Sequence, residues 1–262
     1  MGFSADWLAL REPADREARD PGMALRACEA AGPDPVILDL GSGTGATWRA
    51  LTPRLPGGTR WVFVDNDAAL LADAAAAAGD RAEVIEADIG DLRSLPLEHA
   101  TLVTASALLD LVPHSWVEEL ARTLRVPFYA ALSYSGVMRW TPADPHDHTV
   151  TQFFNRHQRG EKGLGPALGP DAAKCAATIF EGAGFELYQA DSPWQLSPAM
   201  AELQRELTDG IAEAAAAAGA AEASAWGERR HDLADRSHCE IGHTDMLAIP
   251  GRITNGDLGI VR

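Results

Sequence analysis

Cysteine is scarce in this 262-residue chain: Cys28, Cys175 and Cys239 stand far apart, with no CxxC pair and no zinc-knuckle spacing. That argues against a disulfide framework and a structural zinc site, and fits a reducing, cytoplasmic setting. Basic residues are also few, 22 Lys and Arg against 38 Asp and Glu, a formal charge of −16. Such a balance disfavours an electrostatic grip on nucleic acid or on an anionic membrane surface. No stretch reaches the ~18 consecutive apolar residues of a spanning helix. The segment from Met1 to Ala30 is charged throughout and lacks the apolar h-region of a secretory signal. With 46% hydrophobic and 23% charged residues, wholesale disorder is excluded.

What is present is an alternation of short apolar runs and helical stretches. Residues 1–32 read as a helical segment, stopped at Gly32-Pro33-Asp34-Pro35. Strands follow at Val36–Leu40, Trp61–Val64, Ala82–Ala87, Thr101–Ala105 and Pro127–Tyr134. Between them lie helices at Thr44–Arg54, Asp67–Ala78 and from an N-cap at Ser115 to about Leu124, with Glu118 completing a capping box. Strands alternating with helices imply βαβ units, and right-handed crossovers then leave a doubly wound, mostly parallel α/β sheet.

The regularity lapses at 136–170, which hold Trp140, four prolines and three histidines, and again at 197–236, with an Ala-rich helix at Ile211–Ala218. The pattern fits a single domain over 1–262, the two insertions forming a cap or, through the alanines, a homodimer contact. A helix at Asp171–Gly182 and strands at Phe185–Ala190 and Glu240–Ile249 complete the chain.

The strongest chemical signal is Asp39-Leu40-Gly41-Ser42-Gly43-Thr44-Gly45, between a buried strand and a helix. Glycines let the backbone turn tightly and approach a ligand, and the free amides of a helix N-terminus favour a negative group. Gly41, Gly43 and Ala46 fit the dinucleotide pattern G-x-G-x-x-G/A, whereas Gly41, Gly43 and Gly45 fit a nucleoside loop. Asp39 ahead of the first glycine would repel a pyrophosphate and suits a ligand with an ammonium group. Asp65, ending the second strand, is placed for two ribose hydroxyls. Asp88, following the third, is placed for an adenine amino group, with Ile89 against the ring. Three acids closing three successive strands describe a site for a cationic ligand bearing adenosine.

On these residues the chain resembles the class I S-adenosylmethionine-dependent methyltransferases. The motifs are Val36–Gly45, Trp61–Asp67, Glu86–Leu92 and Leu102–Val112, and the resemblance spans roughly Pro33 to Phe185, with Glu240–Ile249 as the family's reversed last strand. It implies a seven-stranded Rossmann-like methyltransferase fold with S-adenosylmethionine as cofactor. Asp39, Gly41, Ser42, Gly43, Gly45, Asp65, Asn66, Asp88, Ile89 and Ser106 are then the cofactor-binding candidates. The stretch Ala105–Val112 is most similar to the small-molecule branch that includes trans-aconitate methyltransferase. Ser106 stands where that branch commonly has Asn, and Asp110 where it has His.

The substrate side is read from the residues alone. Asp110 and His157 are the candidate catalytic groups, and Tyr134, Trp140 and Arg156 the candidate acceptor contacts. The stretch Arg156-His157-Gln158-Arg159 with Lys162 is locally basic, which suits a small anionic acceptor. Arg16 and Arg19 are candidates to close over the cofactor carboxylate. His146-Asp147-His148 lies in a proline-rich loop that suits solvent better than a metal, so no metal is expected. The competing readings are an NAD(P)-dependent oxidoreductase and a cofactor-binding protein without turnover.

Overall fold

The computed structural model describes residues 3–251, so Met1, Gly2 and the last eleven residues lie outside the description. Two N-terminal helices, α1 (Ala5–Ala18) and α2 (Pro21–Ala30), lead into the sheet. The sequence reads them as one segment. The chain breaks at Arg19–Asp20, where the Asp20 carboxylate caps α2 by accepting from Met23 N at 2.7 Å and Pro21 occupies the first turn.

Strands β1 (Val36–Leu40), β2 (Arg60–Asp65), β3 (Ala82–Glu86), β4 (Leu102–Ser106) and β5 (Phe128–Thr141) run parallel in the order β3-β2-β1-β4-β5. Helices α3 (Ala46–Leu51), α4 (Ala68–Ala78) and α5 (His114–Thr123) make the crossovers. After α6 (Asp147–Gln158) and α7 (Ala172–Gly182) come β6 (Phe185–Asp191) and the short β7 (Trp194–Leu196). Helices α8 (Ala201–Ala217) and α9 (Ala223–Leu233) precede β8 (His238–Pro250), which inserts antiparallel between β5 and β6 and also pairs with β7.

This is the doubly wound, mostly parallel sheet with a reversed last strand that the alternation and the resemblance imply, with eight strands because β7 continues the β6 edge. Its two apolar faces are packed by Leu38, Leu40, Val103 and Phe128 on one side and Ile37, Phe63, Leu102 and Tyr129 on the other. Opposite faces for neighbouring residues follow from the period of two along a strand. The outer strand β3 is mostly exposed, so coverage stops at that edge.

Three sequence expectations are corrected. Ser115 is not a cap: α5 begins at His114 after Pro113, and no side chain caps it. Residues 136–141 are strand, not loop, because β8 supplies a partner as far as Thr141↔His238. The ladder survives two irregularities, at Leu132 and at Gly136, whose φ of +82° and crowding (a Cβ there would meet Pro170 at 2.7 Å) admit only glycine without strain. The Ala-rich segment belongs to a longer α8, whose Ile211, Ala212 and Ala215 are buried within the chain.

The two insertions share one core. Trp140, Val150, Trp194, Ile211 and Trp226 pack together, and a Cβ on Gly227 would stand 2.8 Å from that of Ala212, so α8 and α9 approach closely. Asp147 ties α6 to α9: it accepts from Arg230 Nη2 at 2.5 and 2.6 Å and from Trp226 Nε1 at 2.8 Å. Among the described residues no helix is long and apolar enough to cross a membrane.

Candidate active site

The cleft opens at the carboxyl ends of β1, β2 and β4, where doubly wound sheets place ligands. Its volume is about 300 Å3. Gly41, Ser42, Gly43, Asp65, Asn66, Asp88, Ile89 and Ser106 all line it. Gly41 and Gly43 adopt φ of +64° and +51°, which turns the loop tightly between β1 and α3. The Asp65 carboxylate is fixed by backbone donors, Gly43 N at 2.8 Å and Asp67 N at 3.1 Å. Each oxygen therefore keeps a lone pair for a ligand, as a vicinal diol requires. Asp88 accepts from Gly90 N at 2.8 Å through one oxygen only.

Asp39 and Gly45 stand apart from the cleft lining. Asp39 is fully buried behind the loop, where its cross-strand partner Thr104 donates to Oδ1 at 2.7 Å and Oδ2 has no partner. Burial pushes its carboxyl up to about 7, against the opposing pull of Thr104 and Arg19. Asp39 thus supports the loop from behind, and direct contact with a ligand's ammonium is not its geometry. Gly45, at φ +84°, lets α3 pack on Ala74 of α4.

Helix α1 roofs the glycine loop. Leu8 lies 3.1 Å from where a Gly43 Cβ would be, and Phe3, Arg11 and Asp15 also line the cleft. Glu12 accepts from Arg49 Nε and Nη2 at 2.5 and 2.6 Å, and Arg49 Nη1 in turn donates to the Thr44 carbonyl at 2.7 Å. Arg19 is buried and donates to Ser106 Oγ at 3.1 Å, while its Nε and Nη1 have no partner. Burial opposes its charge, but Tyr129, Asp245 and Asp15 hold its pKa above the ordinary value. Arg16 is exposed. Ala107, next to Ser106, takes φ +50°, a strained conformation for alanine at the cleft wall.

Of the substrate-side candidates, Asp110 lies beside the cleft residues Leu111 and Val112, its Oδ1 buried without a partner. Burial raises it to about 6, moderated by backbone donors and by the charges of Arg11 and Lys162. Tyr134 is buried nearby, donating to Asn155 Oδ1 at 2.8 Å. None of the five substrate-side candidates lies in the cleft lining itself. Trp140 is a core residue, edge-on to Trp226 at 5.6 Å and under Arg230. Arg156 is exposed and stacks on Phe153. His157 is half-buried on α6, its Nδ1 without a partner. No cluster of three metal-ligating side chains exists among the described residues.

Sequence reasoning missed Arg11 and Asp15. Their spacing of four on α1 was the available signal, and they form an ion pair at 2.9 Å.

Residues 37–126 match the family model described as a methyltransferase domain. No curated protein matches the chain by sequence. Among solved structures it is similar to the YcgJ protein of Bacillus subtilis, at 15% identity and a TM-score of 0.53, over 88% of this chain and 97% of that one. It is also similar to the cyclopropane synthase MmaA2 of Mycobacterium tuberculosis, at 13% identity and 0.52, over 94% of each chain. At such identities the likeness is one of fold.

Proposed function

We infer that this chain, whose residues 37–126 match the family model described as a methyltransferase domain, binds S-adenosylmethionine and transfers its methyl group to a small-molecule acceptor. The observation that carries the reading is one cleft that gathers the glycine loop, Asp65, Asp88 with Ile89, and Ser106 under the roof of α1. The residues fit the cofactor. Asp65 keeps acceptor capacity toward a ribose diol, Asp88 keeps a free oxygen toward an adenine amino group, and Gly43 has no side chain to obstruct a ligand beneath Leu8.

When bound, the cofactor supplies an electrophilic methyl group on a sulfonium. The protein's part is placement. Gly41 and Gly43 let the backbone approach, Asp65 fixes the nucleoside end, and Leu8 and Phe3 exclude water from above. Arg19, buried behind Ser106 and outside the cleft lining, supports that residue from behind through its bond to Oγ. Asp110, next to the cleft residue Leu111, is the candidate substrate-side carboxylate, which in its ionised form would take a proton from a protic nucleophile.

The test is formation of S-adenosylhomocysteine from S-adenosylmethionine across a panel of small acids, amines and phenols. Turnover with at least one, reduced by Asp110→Asn, supports the reading. Cofactor binding with no turnover on any acceptor would favour a binding protein instead.

A further inference from the structure

Two cationic side chains line the cleft among the described residues, Arg11 and Lys162, and they come from segments 151 positions apart. Arg11 is held rigidly. Its Nε and Nη2 donate to the two Asp15 oxygens at 2.9 and 3.0 Å, and its guanidinium lies 5.0 Å above the Trp194 ring. Trp194 Nε1 donates to the same Asp15 at 2.9 Å, so acid, ring and guanidinium lock one another. The Arg11 Nη1 has no protein partner among the described residues. Lys162 is one of only two lysines in the chain. It is half-buried and donates to the neutral Gln158 Oε1 at 3.0 Å, with no described carboxylate in salt-bridge range. Desolvation disfavours its charge and the neighbouring Asp110 favours it, so the ammonium has a charge nearby but no carboxylate bonded to it directly.

The remaining charged residues of the cleft apart from Asp15 are carboxylates, Asp65, Asp67 and Asp88, all at the nucleoside end. Asp110 feels both Arg11 and Lys162. We propose that Arg11 and Lys162 form a two-point receptor for an oxyanion on the methyl acceptor, making the acceptor a small carboxylate-bearing molecule. This rests on the methyltransferase reading above and adds the substrate class and the residues that select it. A carboxylate held between the two would accept charge-assisted hydrogen bonds from the free Nη1 and from the Lys162 ammonium.

Malonate and its neutral isostere malonamide serve as probes of the full chain saturated with S-adenosylhomocysteine, by calorimetry and thermal shift. The expected result is binding of malonate and none of malonamide. Lys162→Met and Arg11→Met should each weaken malonate by about tenfold or more. Both should leave the S-adenosylhomocysteine affinity within about threefold of wild type. Lys162→Met keeps the test decisive if Arg11→Met loosens α1. Equal behaviour of malonate and malonamide would overturn the proposal. So would loss of S-adenosylhomocysteine in step with malonate, which would assign the cations to the cofactor carboxylate. A wild-type chain that binds no S-adenosylhomocysteine would defeat the underlying reading itself.

Discussion

The nucleoside half of the cleft and the helical layer beside it hold their charges in different ways. In the first, each carboxylate is fixed within a turn or a neighbouring loop: Asp65 by Gly43 and Asp67, Asp88 by Gly90. In the second, charges are fixed across the chain: Asp147 by Arg230, 83 residues away, and by Trp226, 79 residues away. Locally held carboxylates stay solvated enough to accept a ligand, whereas the distant pairs are consumed in holding elements together. The difference separates a binding surface from its scaffold, and variants on either side should move different observables.

The largest effect is expected at Asp147. Arg230 is 1% exposed, so Asp147→Ala leaves a buried cation without its counter-charge. That should cost ~3–5 kcal/mol in denaturant unfolding, with much of it recovered when Arg230→Met is added to Asp147→Leu. Cofactor affinity of the folded fraction should hardly change. A large loss of affinity would break the division between the two regions.

Asp39 comes next, and its effect depends on pH. An unfolded carboxyl ionises near ~3.9. Burial lifts the native one to about 7, so between these values the native state keeps a proton that the unfolded chain has lost. Stability therefore falls as pH rises through that window and levels off above it. Asp39→Asn, neutral throughout, should gain on wild type across the window by on the order of 2–4 kcal/mol. Parallel stability curves from pH 4 to 8 would contradict the buried, uncharged state.

Smaller effects belong to the binding surface. Gly43→Ala forces a side chain onto a φ of +51° and to 3.1 Å from Leu8, which should weaken S-adenosylhomocysteine about tenfold while costing roughly 1 kcal/mol of stability. Asp65→Asn turns one acceptor oxygen into a donor facing the backbone N–H of Gly43 or Asp67, and should weaken the ligand by about 1 kcal/mol with a similar loss of stability.

The same contrast explains what could be read from the chain beforehand. The glycine loop, Asp65 and Asp88 announce themselves because turn chemistry and strand ends are local in sequence, and all three reach the cleft. Beyond Tyr134 that local signal misleads. Gly136 looks like a turn, yet β5 passes through it as a bulge because β8, more than a hundred residues on, supplies the pairing. Trp140 and Arg156 show the same limit. Their types suit a pocket wall and an anion clamp, but Trp226 and Phe153 claim them. Arg11 was hidden for the converse reason, as its role depends on Trp194 and on the fold that brings α1 over the loop.

Titration of the protein with S-adenosylmethionine, S-adenosylhomocysteine and NAD in parallel calorimetry tests the central claim most directly. Micromolar binding of the first two and no heat from NAD are expected. Binding of NAD alone would contradict it and assign the glycine loop to a dinucleotide.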